Sequence, residues 1–262
     1  MPPVLPSPMP AARSVPELPA EGLGLRPLTA RSVLLSVLLG THPPQLPVRA
    51  LVRAGALFGI PDGTVRVALS RMVTDGDIET TGGCYRLTGR LLARQLRQDE
   101  GRAASTLAWD GSWELAIAAP DARGASSRAE LAADLVPLRL SEWRDGVWTR
   151  PANLARPLPD SLPGRARSAR IGGLADPAGL AAALWDLNGW AHRARELADA
   201  MRSQPGPALH FTISAATVAH LRDDPLLPAE LLPRSWPGDD LRRCYGEFEA
   251  QLTALLLRAG EL

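Results

Sequence analysis

Between residues 27 and 39, Leu28, Leu34, Val37 and Leu38 recur at near-helical spacing behind Pro27 and Thr29, predicting a first helix over Pro27–Leu39. The stretch "THPPQLP" (41–47) ends it, and a second helix runs from about Val48 to Phe58. Gly59, Ile60 and Pro61 form a corner. A third helix then runs from Asp62, which can cap it, to Thr74, where "DGD" stops it. On a helical wheel, Val65, Ala68, Leu69, Met72 and Val73 share an arc of about 140° that faces the other two helices. Thr64, Arg66, Val67, Ser70 and Arg71 lie on the opposite side and form a free polar face. Ile78–Thr81, the pair Gly82-Gly83 and Cys84–Leu87 then read as a hairpin with a tight turn, and "LTGRLLARQLRQ" (87–98) returns to helical spacing. Three helices, a hairpin and a helix are a winged helix-turn-helix order. The plainer alternative is a basic helical unit packed against the body of the protein.

The pattern changes after "RQDEGRAAS" (97–105), which marks a domain boundary. Trp113, Leu115 and Ile117 alternate with Ser112, Glu114 and Ala116, the period of a strand with an apolar odd-numbered face. Ser126–Val136 is helical, residues 138–151 read as strands around an Asp145-Gly146 turn, and a further strand is expected near Ala169–Leu174. Such an order suggests a small α+β unit of ferredoxin-like type. The end is mainly helical, with one long helix over Pro177–Met201, a second over Ser214–Arg222 and a third over Asp239–Ala259. Between the last two, the four prolines of "RDDPLLPAELLPRSWPG" (222–238) forbid a continuous helix and imply a fixed loop with buried side chains. The fold class expected is therefore multidomain α+β: a proline-rich leader over 1–26, a winged helix-turn-helix over 27–100, a ferredoxin-like domain over 105–175 and a helical domain over 176–262.

Charge sharpens this division. The chain of 262 residues carries a net charge of only +1. Residues 26–98, however, hold ten arginines against four acids, a net of +6, which leaves −5 for the remainder. A basic head on a mildly acidic body is the asymmetry of a DNA-binding module carried by something else. All 29 basic residues are arginine, and no functional conclusion follows from that alone. The two cysteines, Cys84 and Cys244, are far apart and lack metal-ligand spacing, which fits a reduced, cytoplasmic protein. No apolar run approaches the roughly 18–20 residues needed to cross a bilayer, so no membrane partner is expected. The proline-rich start lacks the basic and apolar regions of a signal peptide.

Catalytic patterns are missing from the sequence. His42, His192, His210 and His220 have no metal-ligand spacing, and no GxSxG, Walker or GxGxxG stretch stands out. A non-enzyme without cofactor or metal is expected, with an acyl-CoA-acting or nuclease activity of the later domains as the less favoured possibility. A protein-interaction adaptor would want an apolar outer face on the third helix, and Thr64, Arg66, Ser70 and Arg71 argue against it. The seven tryptophans fall mostly at strand and helix spacing, as core residues do.

Three stretches together resemble the PaaX-like regulators, the family of the phenylacetic-acid catabolism repressor. They are "TARSVLLSVLLG…GTVRVALSRMVTDGDIE…YRLTGR", "WDGSWELAI…GVWTRP" and "RDDPLLPAELLPRSWPGDDLRRCYGEF", in the order that family uses. The resemblance implies a homodimeric bacterial transcription factor that represses aromatic-acid catabolic genes and releases double-stranded DNA on binding an aryl-acyl-coenzyme A such as phenylacetyl-CoA. It places DNA reading at Thr64, Arg66, Ser70 and Arg71 of the third helix and at Thr81, Gly82, Gly83 and Arg86 of the wing. In such a helix, arginine grips guanine O6 and N7 through two bonds, and Val67 suits a thymine methyl. Arg71 has an alternative, an i+4 pair with Asp75. Arg165, Arg167 and Arg170 form a second basic cluster suited to the phosphates of coenzyme A or, equally, a solvated linker.

Overall fold

In the computed structural model, which describes residues 29–103, 105–119, 125–156, 158, 165–203 and 206–258, the first helix begins where Thr29 and Ser32 cap one another. Ser32 N–H donates to Thr29 Oγ1 at 3.1 Å and Thr29 N–H to Ser32 Oγ at 2.8 Å, satisfying amides that a helix start leaves unpaired. Helix α1 (Ala30–Leu39) is followed by strand β1 (Gln45–Pro47), α2 (Val48–Leu57) and α3 (Asp62–Thr74). Strands β2 (Ile78–Thr81) and β3 (Cys84–Leu87) form the expected hairpin, and α4 (Gly89–Ala103) follows. Strand β1 was not anticipated; it pairs antiparallel with β3, giving the sheet order β1-β3-β2. It is three residues long and ends on Pro47 at a sheet edge, the place where a strand tolerates proline.

Two readings of α3 need correction. Pro61, with extended backbone, takes the N-cap position, and Asp62 is the first helical residue, its carboxylate turned to Arg66. Val65, Leu69 and Met72 are fully buried, whereas Val73, at the edge of the apolar arc, is 39% exposed. Gly55 of α2 is what lets these helices touch: a Cβ there would lie 2.5 Å from Val65 Cγ2. The core they share with Val33, Leu34, Leu38 and Leu87 also takes in Phe211, from much later in the chain.

The second sheet consists of β4 (Trp113–Ala118), β5 (Ser141–Arg144), β6 (Val147–Pro151) and β7 (Ala166–Ile171), ordered β5-β6-β4-β7 with every pairing antiparallel. Helix α5 (Ala125–Leu135) lies between β4 and β5 in sequence and packs Leu131 and Leu135 with Ala116, Ala118 and Trp148. The alternation expected of β4 fails at its far end, where Ala116 is buried and Ile117 is 40% exposed. Both faces are covered near Trp113, which packs on Ala181, Leu187, Leu227 and Leu231, but only the α5 face is covered at Ile117. Strand β7 starts three residues earlier than expected.

The single long helix expected over 177–201 is two. Helix α6 (Pro177–Leu184) and α7 (Leu187–Arg202) break at Trp185-Asp186 because Asp186 caps α7, accepting from Gly189 N–H at 2.8 Å. Asp176 does the same for α6 through Gly179. Helices α8 (Pro207–Arg222) and α9 (Gly238–Arg258) complete the fold. The proline-rich connection between them is buried at Asp224, Leu226, Leu227 and Leu231. Asp224 is tied to Arg242 of α9, and Arg139 donates to the Arg222 carbonyl at 3.0 Å. Helix α4 continues to Ala103, through the charged stretch where a boundary was expected, and lies against α8 so closely that a Cβ on Gly101 would be 2.5 Å from the Leu221 carbonyl oxygen. The proline-rich leader lies outside the described residues. Among them, no helix is long and apolar enough to cross a membrane.

Candidate nucleic-acid interface

The third helix stands on its buried residues and leaves the opposite side to solvent. Thr64, Arg66, Val67, Ser70 and Arg71 are all exposed, Val67 by 52%. One long face therefore carries two guanidiniums, two hydroxyls and a methyl-bearing side chain, none of them spent on the core. Arg66 Nε lies 2.7 Å from Asp62 Oδ1, one helical turn back. An exposed pair of this kind is worth roughly 0–1 kcal/mol, so the Arg66 guanidinium can be drawn to a competing anion at little cost. Arg71 makes no ion pair among the described residues, because Asp75 is taken by Arg31 at 3.2 Å.

The hairpin begins at Ile78, three residues after the helix capping residue Asp75. Thr81, Gly82 and Gly83 are exposed at its tip, and Arg86 is exposed on β3, the central strand of the sheet. Gly82 and Gly83 have φ of +56° and +76°, the left-handed pair of a two-residue turn that twists with its strands. Arg86 is anchored to Glu79 across the hairpin, with Nε 2.8 Å from Oε1. The turn's geometry is thus a structural requirement, and it leaves both peptide groups bare at the tip.

Asp77 fixes how helix and hairpin meet. Its carboxylate is buried and receives Arg31 from the start of α1 and Arg90 from the start of α4, the latter at 2.8 Å. Its amide donates to Met72 O and its carbonyl accepts from Thr88 N–H. One residue therefore ties α1, α3, the hairpin and α4 together. Sequence reasoning counted Asp77 only as charge, since its partners are 46 and 13 residues away.

Arg49 and Arg53 on α2 were also missed. They stand one turn apart and make no ion pair among the described residues. The helix preceding α3 therefore adds two uncommitted cations to the head. Their i, i+4 spacing on an otherwise apolar helix was the available signal.

The second basic cluster is not brought together. Arg165 pairs with Glu130 at 2.7 Å and with Asp134 at 3.6 Å on α5. Arg167 and Arg170 are exposed on opposite faces of the edge strand β7. The tryptophans mostly meet each other: Trp190 stacks on Trp236 at 4.6 Å and on His220 at 4.5 Å, and Trp113 stacks on Trp185. Among the described residues, no three His, Cys, Asp or Glu side chains gather as a metal site would require. Both cysteines are free thiols.

The family model of PaaX-like protein matches residues 29–91, the stretch from the capping threonine through α3 and the hairpin into α4. The chain belongs to the PaaX-like family. Among solved structures, this PaaX-like chain is similar to uncharacterized protein Rv0674 from Mycobacterium tuberculosis, at 43% identity and a TM-score of 0.74. The similarity covers 88% of the PaaX-like chain and 99% of the other, so it extends far beyond the head. No curated protein matches.

Proposed function

We propose that the chain is a sequence-specific DNA-binding transcriptional regulator whose head, residues 27–100, works as a winged helix. One observation carries this reading: the outer face of α3 presents Thr64, Arg66, Val67, Ser70 and Arg71 to solvent immediately before a glycine-tipped hairpin. In this reading α3 enters the major groove, with Arg66 and Arg71 on guanine edges or phosphates, and each good bidentate contact discriminates by about 1–3 kcal/mol. Thr81, Gly82, Gly83 and Arg86 lie over the adjacent backbone, and Arg49 and Arg53 neutralise phosphates from α2.

The remaining domains extend the proposal. Residues 105–175 form a ferredoxin-like unit, an assignment supported by the antiparallel order β5-β6-β4-β7, and residues 176–262 form a helical domain. Membership of the PaaX-like family supports a homodimer on a two-fold operator, repressing catabolic genes until an aryl-acyl-CoA releases it. Half-sites would then be spaced by whole turns of about 10 base pairs. Among the described residues, nothing at nucleophile–base spacing recommends an enzyme.

The test is titration of the protein onto labelled DNA from upstream of its own gene, against a scrambled duplex, over a range of salt concentrations. The reading predicts preference for the upstream DNA, steep loss with salt, and loss of that preference in an Arg66→Ala, Arg71→Ala double variant. Equal weak binding to both duplexes, unchanged in the variant, refutes it.

A further inference from the structure

Beneath the head, α1, α4, α8 and α9 line a partly open cavity of about 80 Å³, well above the roughly 10–15 Å³ that one water needs. Its walls are mixed: Phe211 and Val218 from α8 and Phe248 and Leu252 from α9 supply apolar surface, and Gln98, Ser214, Tyr245 and Glu249 supply polar surface. Two arginines of α4 reach it, and they are in opposite condition. Arg102 is satisfied, bound to Glu249 and, at 2.7 Å, to Asp99. Arg94 is not: its Nε is buried and has no hydrogen-bond partner. The charges acting on Arg94 are those of Arg222, Arg97 and Arg90, all of its own sign, and burial, the larger cause, pushes its pKa down with them. A guanidinium donor that is buried without a partner or counter-charge is unfavourable unless something supplies one. The neighbouring acids are already held by Arg102, so the chain does not supply it.

We propose that this cavity is a binding site for a small monocarboxylate with an apolar body, its carboxylate against Arg94 and its body between Phe211, Val218 and Phe248. A carboxylate accepts two parallel guanidinium bonds, which suits Arg94 better than a halide or a neutral oxygen. The site lies at the junction of two parts of the molecule: α1 belongs to the head, whereas α8 and α9 belong to the body. Occupancy therefore sets how the head sits, and, on the DNA-binding reading above, the affinity of the head for its operator.

The experiment uses the full chain and calorimetric titration with butyrate and benzoate, with butanol and inorganic phosphate as controls. Two variants run alongside: Arg94→Gln, which removes the charge, and Val218→Phe, which fills the cavity and leaves the charge. Circular dichroism and thermal midpoints verify that both are folded. The expected result is carboxylate binding that weakens at least tenfold in both variants, with neither control binding. Absence of carboxylate binding, binding undiminished in the variants, or equal binding of butanol or phosphate overturns the site. DNA titration with and without the bound acid then separates the two readings. A change in DNA affinity of fivefold or more supports the regulatory role, and an unchanged affinity overturns that role. A protein that binds the acid but prefers no DNA sequence overturns the DNA-binding proposal and leaves the site standing.

Discussion

Asp77 holds two arginines from different elements on one buried carboxylate, while both arginines keep much of their surface in water. In Asp77→Ala the guanidiniums rehydrate, so the expected cost is that of lost charge-assisted hydrogen bonds, about 1–3 kcal/mol, measured by urea unfolding. Asp77→Asn should recover part of it, since an amide oxygen still accepts. His220 offers a second handle. Burial holds its imidazole below the ordinary value, against the opposing influence of its hydrogen bond to the Trp190 carbonyl at 2.9 Å. The unfolded chain takes up a proton near pH 6.5 that the folded chain refuses. Stability from this residue is therefore fully present above that pH and is lost as pH falls below it. His210 is shifted the same way by burial. The thermal midpoint should drop between pH 7 and pH 5, and a His210→Gln, His220→Gln variant should flatten that slope; an identical slope in the variant refutes the assignment.

Elements were legible in the sequence wherever local chemistry decides them. The bounds of α3 and of both hairpin strands follow from Pro61, "DGD" and the glycine pair, and the four prolines announced the buried loop after α8. What escaped notice depends on partners far along the chain. Strand β1 exists because β3 is there to pair with it. The break at Trp185-Asp186 looks like ordinary helix sequence until Asp186 takes the capping role. The polar face of α3 could be drawn on a wheel, yet whether Arg71 was committed depended on Arg31 claiming Asp75. The same dependence makes Gly101 informative. Gly101→Ala should push α4 from α8 and destabilise the protein by about 1–3 kcal/mol, whereas Gly63→Ala on α3, where a Cβ meets no atom within 4 Å, should be neutral or mildly stabilising. Chemical unfolding of the two variants distinguishes them.

At the scale of the whole molecule, the head does not own its core. Phe211 of α8 is buried in it, and Phe248 and Leu252 of α9 pack against it. Phe211→Ala should cost about 3–5 kcal/mol and should lower the unfolding midpoints of head and body together, as reported by hydrogen exchange in α3 and α7. Separate transitions with only one shifted would contradict a shared core. The continuity of α4 has a mechanical consequence. As a rod of 15 residues it is about 22 Å long, and a tilt of about 10° about its far end displaces its other end by about 4 Å. That is more than the length of a hydrogen bond, so, on the proposed DNA-binding function, a rotation too small to unpack the body would lift every reading side chain from its base at once. A stiff lever makes a gradual movement at one end into an on-or-off contact at the other.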